Sequence, residues 1–189
     1  MAQGLSALRP RIPADRDQIP AAMLTPSQAA AFCALPRHDQ QHLCAVYRTL
    51  QRRGVTDHDL LAAGLLHDLG QQSPRSRVRL VDRIARVALA AVAPRLLSRL
   101  TRAPVPRWRA GLALASHHPR LGAEAAAVLG LSPRTCWLIA HHEDRAAPDP
   151  DLASLMAADA EHARGRGMPR CYGNPAWRCR DRCVPATMA

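Results

Sequence analysis

The apolar run Leu60–Leu66 ends on His67-Asp68 and continues into Leu69-Gly70. A run of that kind must be buried, and it carries the two polar residues at its end into the interior with it. A polar group buried without a partner costs about 2 kcal/mol or more, and an isolated charge costs far more. A metal ion or a buried hydrogen-bond partner is the usual compensation. The pair has company along the chain: His42 precedes it, and His118, His141, His142 and Asp159 follow, each beside an apolar helical stretch. A His/Asp constellation spread over five segments points to a metal-dependent hydrolase.

The rest of the chain has the composition of a helical protein. Its 189 residues suffice for one domain with a substantial core, and only six are aromatic, so Leu, Val and Ala must fill that core. Such a mixture favours helix over sheet. All 26 basic residues are arginine, and they are unevenly spread. Between Ser27 and Ala163 there are 17 arginines against 12 carboxylates, whereas the two ends carry nine against three. An excess of this kind draws polyanions, including nucleic acid, anionic lipid and phosphorylated small molecules. Solvated arginines without a partner are the alternative for the ends.

The expected architecture is all-α, a single helical domain over residues 25–163. A flexible Pro- and Arg-punctuated segment (1–24) precedes it, and a disordered basic tail (164–189) follows. Thr25-Pro26 starts a short helix, and a second runs from about His38 to Arg53, stopped by Gly54. Thr56 or Asp57 caps the third, which ends at Gly70. A long amphipathic segment from Arg75 to Thr101 is bent or broken at Pro94. One short helix then covers about Pro106 to Ser116, and Pro119 opens another that Gly130 closes. Ser132-Pro133 starts the helix that reaches His142, and the last begins near Asp149-Pro150. No segment has the pattern of a strand.

Neither a signal-peptide core nor an uncharged apolar stretch of membrane-spanning length is present, and the expected setting is a reducing cytoplasm. Cys33, Cys44 and Cys136 fall on helical patterns as small hydrophobes. Cys171, Cys179 and Cys183 have neither a standard zinc spacing nor the even number of a disulfide framework.

His67 and Asp68 lie about 100° apart on their helix, close enough to reach one site beside it. His42 sits on the apolar side of its helix with His38 one turn earlier, His118 at a helix start, and His141-His142 at a helix end. Taken singly, each histidine could be a hydrogen-bonded core residue, Asp159 a partner for arginine, and Asp68 a helix-terminus carboxylate. Seven of the nine histidines, however, gather in three short clusters, and neutral imidazoles with ionised carboxylates from different elements make a metal site.

The order His42, His67-Asp68, Asp159 resembles the metal-binding signature of the HD-domain phosphohydrolase superfamily, an all-helical fold. The matching stretches are His-Leu-Cys-Ala-Val at 42–46, Leu-Leu-Ala-Ala-Gly-Leu-Leu-His-Asp-Leu-Gly at 60–70, His-Pro-Arg-Leu-Gly-Ala-Glu at 118–124, Ile-Ala-His-His-Glu at 139–143 and Ala-Ala-Asp at 157–159. They cover Ser27 to Ala163, nearly three quarters of the chain. The resemblance implies that His42, His67, Asp68 and Asp159 hold a first metal, and that His118, His141 and His142 match the additional histidines of two-metal members. Two ions about 3.5–4 Å apart would then activate water and clamp phosphate oxygens, with Asp68 bridging them. Mixed nitrogen and oxygen ligation suits Mn, Fe, Co or Ni, and Mg less well. The implied activity is hydrolysis of a phosphate ester or anhydride, of a nucleotide or a similar small molecule, with His67 and Asp68 at its centre.

Two departures narrow the reading. Lysine commonly follows His-Asp-x-Gly in that family and faces substrate phosphate; here Gln71 stands there, with Arg75, Arg77 or Arg145 as possible substitutes. The cyclic-dinucleotide phosphodiesterase branch continues His-His-Glu with Gly-Tyr-Pro, whereas Asp-Arg-Ala-Ala-Pro follows Glu143 here. Small one-domain HD hydrolases of nucleotides, including those that split dinucleoside tetraphosphates, are the better comparison. Gln71 also motivates the alternative of a nucleotide-binding module that has lost turnover.

A second feature is the row Arg75, Arg79, Arg83, Arg86, spaced along one helical face opposite Val78, Val81, Ile84, Ala85 and Leu89. It fits a surface that docks on anionic membrane or nucleic acid, or a solvated face whose apolar side packs on the core. Arginines near the pocket could instead bind substrate phosphate through paired hydrogen bonds.

Overall fold

The computed structural model describes residues 23–73, 76–144, 146 and 148–163, and of Arg77 and Ala163 the backbone alone. Both expected tails, with Cys171, Cys179 and Cys183, lie outside the described residues, as do Arg75 and Arg145. Met23 and Leu24, assigned from sequence to the first tail, pack on the core, with Leu24 buried.

The described chain is all-α. Helices α1 (Pro26–Ala34), α2 (Arg37–Arg52) and α3 (His58–Leu66) are followed by a single tight turn, Leu69–Gln71. Strands β1 (Gln72–Ser73) and β2 (Ser76–Arg77) then form a two-residue antiparallel ladder, Gln72 opposite Arg77 and Ser73 opposite Ser76. Helices α4 (Leu80–Val92), α5 (Pro94–Thr101), α6 (Ala110–Val128), α7 (Pro133–His141) and α8 (Pro150–Ala163) complete the fold.

Local chemistry sets most of these boundaries. Thr25 and Gln28 form a reciprocal capping box at α1, with Pro26 at its first position. The Asp57 carboxylate accepts from the Leu60 amide at 2.8 Å, and the Ser132 hydroxyl accepts from the Thr135 amide at 3.0 Å. Gly54, with φ 81°, ends α2 in the left-handed region.

Helix α3 is the centre of the molecule. All seven residues from Leu60 to Leu66 are buried, so this helix has no solvent face. It packs against α2, α7 and α8, which contribute Leu43, Val46, Leu50, Leu138, Leu152 and Leu155. The turn after it lies on α6, and α4 and α5 cover α6 from the other side. That turn fits because residue 70 has no side chain. A methyl group there would collide with the His118 carbonyl oxygen and the Gly122 amide of α6.

Three expectations change. The helices expected on either side of Pro119 are one continuous helix, α6, with the proline inside it. In the segment expected to be helical from Arg75, Ser76–Arg77 is strand, and α4 starts only at Leu80. Most significantly, α4 is turned over: Val81 and Ile84 are exposed, while Asp82 is buried and Arg83 and Arg86 turn toward the protein. The arginine side wins the inward place because polar partners wait there. Arg83 donates to the Gln71 side chain, and Arg86 makes paired bonds of 2.9 and 2.5 Å to Glu143.

Gly70→Ala should destabilise the fold by about 3 kcal/mol, because backbone on both sides of the contact must move. Denaturant unfolding monitored by circular dichroism measures the loss, and a change below about 0.5 kcal/mol would contradict the packing described.

Candidate metal centre

Each histidine beside α3 is oriented by its own helix. The Nδ1 of His67 lies 3.2 Å from the Gly64 carbonyl, that of His118 3.1 Å from Ala115, and that of His142 2.8 Å from Ile139. A carbonyl only accepts, so in each ring Nδ1 carries the proton and Nε2 presents a lone pair. Pro119 takes part in this arrangement. It has no N–H to give to the Ala115 carbonyl four residues back, and His118 Nδ1 takes that free acceptor.

Two groups of ligand atoms result. His42, His67 and Asp159 offer one atom each within 4.8 Å of one another, and so do Asp68, His118 and His142. In the first, His42 Nε2 lies 2.9 Å and His67 Nε2 3.7 Å from Asp159 Oδ1. In the second, His118 Nε2 is 3.9 Å from Asp68 Oδ1 and 3.3 Å from His142 Nε2. The groups adjoin: His67 Nε2 is 3.8 Å from Asp68 Oδ1, and the His67 and His142 rings are 5.0 Å apart. Either set can hold a metal ion.

The charge states suit a cation. Burial pushes His118 below the ordinary imidazole range, against the pull of Glu143 and Asp68. Burial, reinforced by His67, lowers His142 to about 4. Burial alone would raise Asp68, but the surrounding His67, His142, His118 and His42 outweigh it and lower the carboxyl to about 2. Asp159 is likewise held well below the carboxylate range, burial being overcome by His42 and His67. Neutral imidazoles facing ionised carboxylates are what a divalent ion requires. The pair of facing ring nitrogens makes the point most directly. With both Nδ1 atoms protonated, His118 Nε2 and His142 Nε2 aim lone pairs at each other across 3.3 Å, an arrangement that a cation between or beside them relieves.

The remaining site candidates sit elsewhere. His141, one residue from His142, stacks on Trp137 at 4.5 Å, bonds the Trp137 carbonyl at 2.8 Å and joins neither group. His38 is exposed beside Asp39. Gln71 is buried at the edge of the site, its side-chain oxygen held by Arg83. Sequence reasoning missed the arginine and carboxylate that frame this edge: Glu143 Oε1 is 3.9 Å from His118 Nε2 and carries the paired bonds from Arg86. The signal available was the spacing of Arg83 and Arg86, which share a face one turn apart.

No family model, curated protein or solved structure matches the chain.

A divalent ion at about a hundredfold excess over its dissociation constant should add about 2.7 kcal/mol to unfolding stability, and chelation should remove it. His67→Ala should abolish both metal retention, measured by elemental analysis, and the stabilisation. His141→Ala should leave both unchanged, because its ring faces Trp137.

Proposed function

We propose that this chain is a metal-dependent phosphohydrolase of the HD type, cleaving a phosphate ester or anhydride of a nucleotide or another small phosphorylated molecule. The observation that carries the reading is the pair of neutral nitrogens His118 Nε2 and His142 Nε2, 3.3 Å apart beside the ionised Asp68. Two imidazole nitrogens that converge beside a buried carboxylate have an evident use as ligands.

His42, His67 and Asp159 would hold one ion, and Asp68, His118 and His142 a second. Bound there, divalent ions supply Lewis acidity toward phosphoryl oxygens and acidify water. The chain's own groups do the rest. Asp68, ionised and buried, accepts a hydrogen bond from the attacking water and orients it toward phosphorus. Water adds to phosphorus as the bond to the leaving oxygen breaks, and the proton released passes to solvent or to the departing group. Arg83 and Arg86 lie at the rim and donate to the substrate's phosphate oxygens, where charge accumulates. The mixed nitrogen and oxygen donors suit Mn, Fe, Co or Ni ahead of Mg.

The alternative, a binding module without turnover, rests on Gln71 in place of a phosphate-facing lysine. Arg83 weighs against it, because its guanidinium contacts Gln71 and restores a cation to that position.

Metal analysis joined to a screen of phosphomonoesters, phosphodiesters and nucleotide anhydrides tests the reading. Phosphate or nucleotide release should fall about a thousandfold or more in Asp68→Ala. A metal-loaded protein inert across the whole screen would refute the enzymatic reading and leave the binding module. Arg83→Gln should raise KM about tenfold with kcat largely kept, and Arg83→Lys should recover most of it. An unchanged KM in Arg83→Gln would remove that residue from substrate binding.

A further inference from the structure

The inverted helix α4 leaves an apolar stripe in solvent. Among the described residues, seven of the eight exposed large hydrophobics fall between Leu80 and Trp108. On α4, Leu80, Val81, Ile84, Val87 and Val92 are 60 to 81 % exposed; Leu96 of α5 is 46 % exposed and Trp108 74 %. Along a helix of 13 residues the stripe runs about 20 Å, too long and continuous for scattered surface apolar residues.

The surroundings of the stripe are rich in arginine, and the one carboxylate of α4, Asp82, is buried. From Arg83 to Ala123 the chain contains eight arginines and no carboxylate. Arg83 and Arg86 turn inward, while Arg95, Arg99, Arg102 and Arg107 are exposed. Arg79, which precedes the stripe, lines a cleft of about 460 Å³ with Arg107 and Trp108. Arg107 also belongs to an adjoining cleft of about 510 Å³, where Arg102, Arg120 and His117 lie above an apolar floor and no carboxylate is present.

We propose that the α4–α5 face, with Trp108, docks on an anionic phospholipid surface. The stripe enters the boundary between headgroups and acyl chains, Trp108 sits at the interface, and Arg102 and Arg107 receive lipid phosphates, Arg79 and Arg120 being paired with Asp82 and Glu124. Charge complementarity selects this partner. A second copy of the chain would bring arginine-flanked stripes together with no carboxylate to receive them, and nucleic acid offers nothing to a row of valines and isoleucine. The interaction is peripheral, since no described helix is long and apolar enough to cross a membrane.

The test is flotation of the full-length protein with vesicles of phosphatidylglycerol and phosphatidylcholine, compared with phosphatidylcholine alone. The protein should float with the anionic vesicles and stay behind with the neutral ones. Ile84→Asp/Val87→Asp should reduce binding at least about tenfold, and Arg102→Glu and Arg107→Glu about fivefold each. Trp108→Ser supplies an independent variant outside α4 and should also weaken binding. Circular dichroism verifies folding of each variant. Absence of wild-type flotation would overturn the proposal. So would binding that survives the stripe and Trp108 substitutions, which would assign it to the basic ends of the chain. A dimer in sedimentation velocity that Ile84→Asp/Val87→Asp dissociates, without vesicle binding, would identify the stripe as a self-association face and overturn it equally.

Discussion

Backbone touches backbone where the turn after α3 meets α6, and this contact brings together the residues of the candidate metal centre. His67 and Asp68 belong to the end of the central helix, whereas His118 belongs to α6. A side chain of any size at position 70 would hold the turn away from the His118 carbonyl and carry Asp68 with it. Ligand distances of about 2 Å tolerate little of such displacement. The buried run Leu60–Leu66 fixes the other half of the geometry, because a helix with no solvent face cannot rotate without exposing leucine. His67 and Asp68 are therefore set by core packing on one side and by a missing side chain on the other.

The starts of α1, α3 and α7 were legible because capping is local. Thr25, Asp57 and Ser132 each accept from an amide three residues on, a bond that needs no distant residue. Helix phase also held information that a simple inventory of histidines does not use. His142 follows the fully buried Leu138 and Ile139 by four and three residues and shares their inward face, while His141 follows Trp137 by four and stacks on it. Phase does not separate His42 from His38, which lies one turn earlier on the same face; His38 is exposed because it sits in the first turn of α2, beyond the core.

The orientation of α4 was not legible. Its periodicity establishes that one side is apolar and the other basic, and the usual rule turns the apolar side inward. What decides the matter lies elsewhere in the chain: the buried Gln71 amide and the exposed Glu143 carboxylate present acceptors to whichever face arrives. Arg83 and Arg86 therefore make charge-assisted contacts beside the carboxylates and imidazoles of the candidate site, with the valines left outside. The aliphatic side is left to find its partner outside the molecule.

Pro119 carries a cost of another kind. A proline in the middle of a helix forfeits one backbone hydrogen bond and about 3 kcal/mol of helix propensity relative to alanine. The carbonyl it leaves open selects the tautomer of His118. Alanine at that position would give the carbonyl a second, backbone donor and strengthen α6, so that His118 Nδ1 would share its acceptor and the ring would be held less firmly. The helix is thus held below its attainable stability by the site it serves, a trade-off in which one proline sets the exchange between rigidity of the scaffold and protonation of a ring.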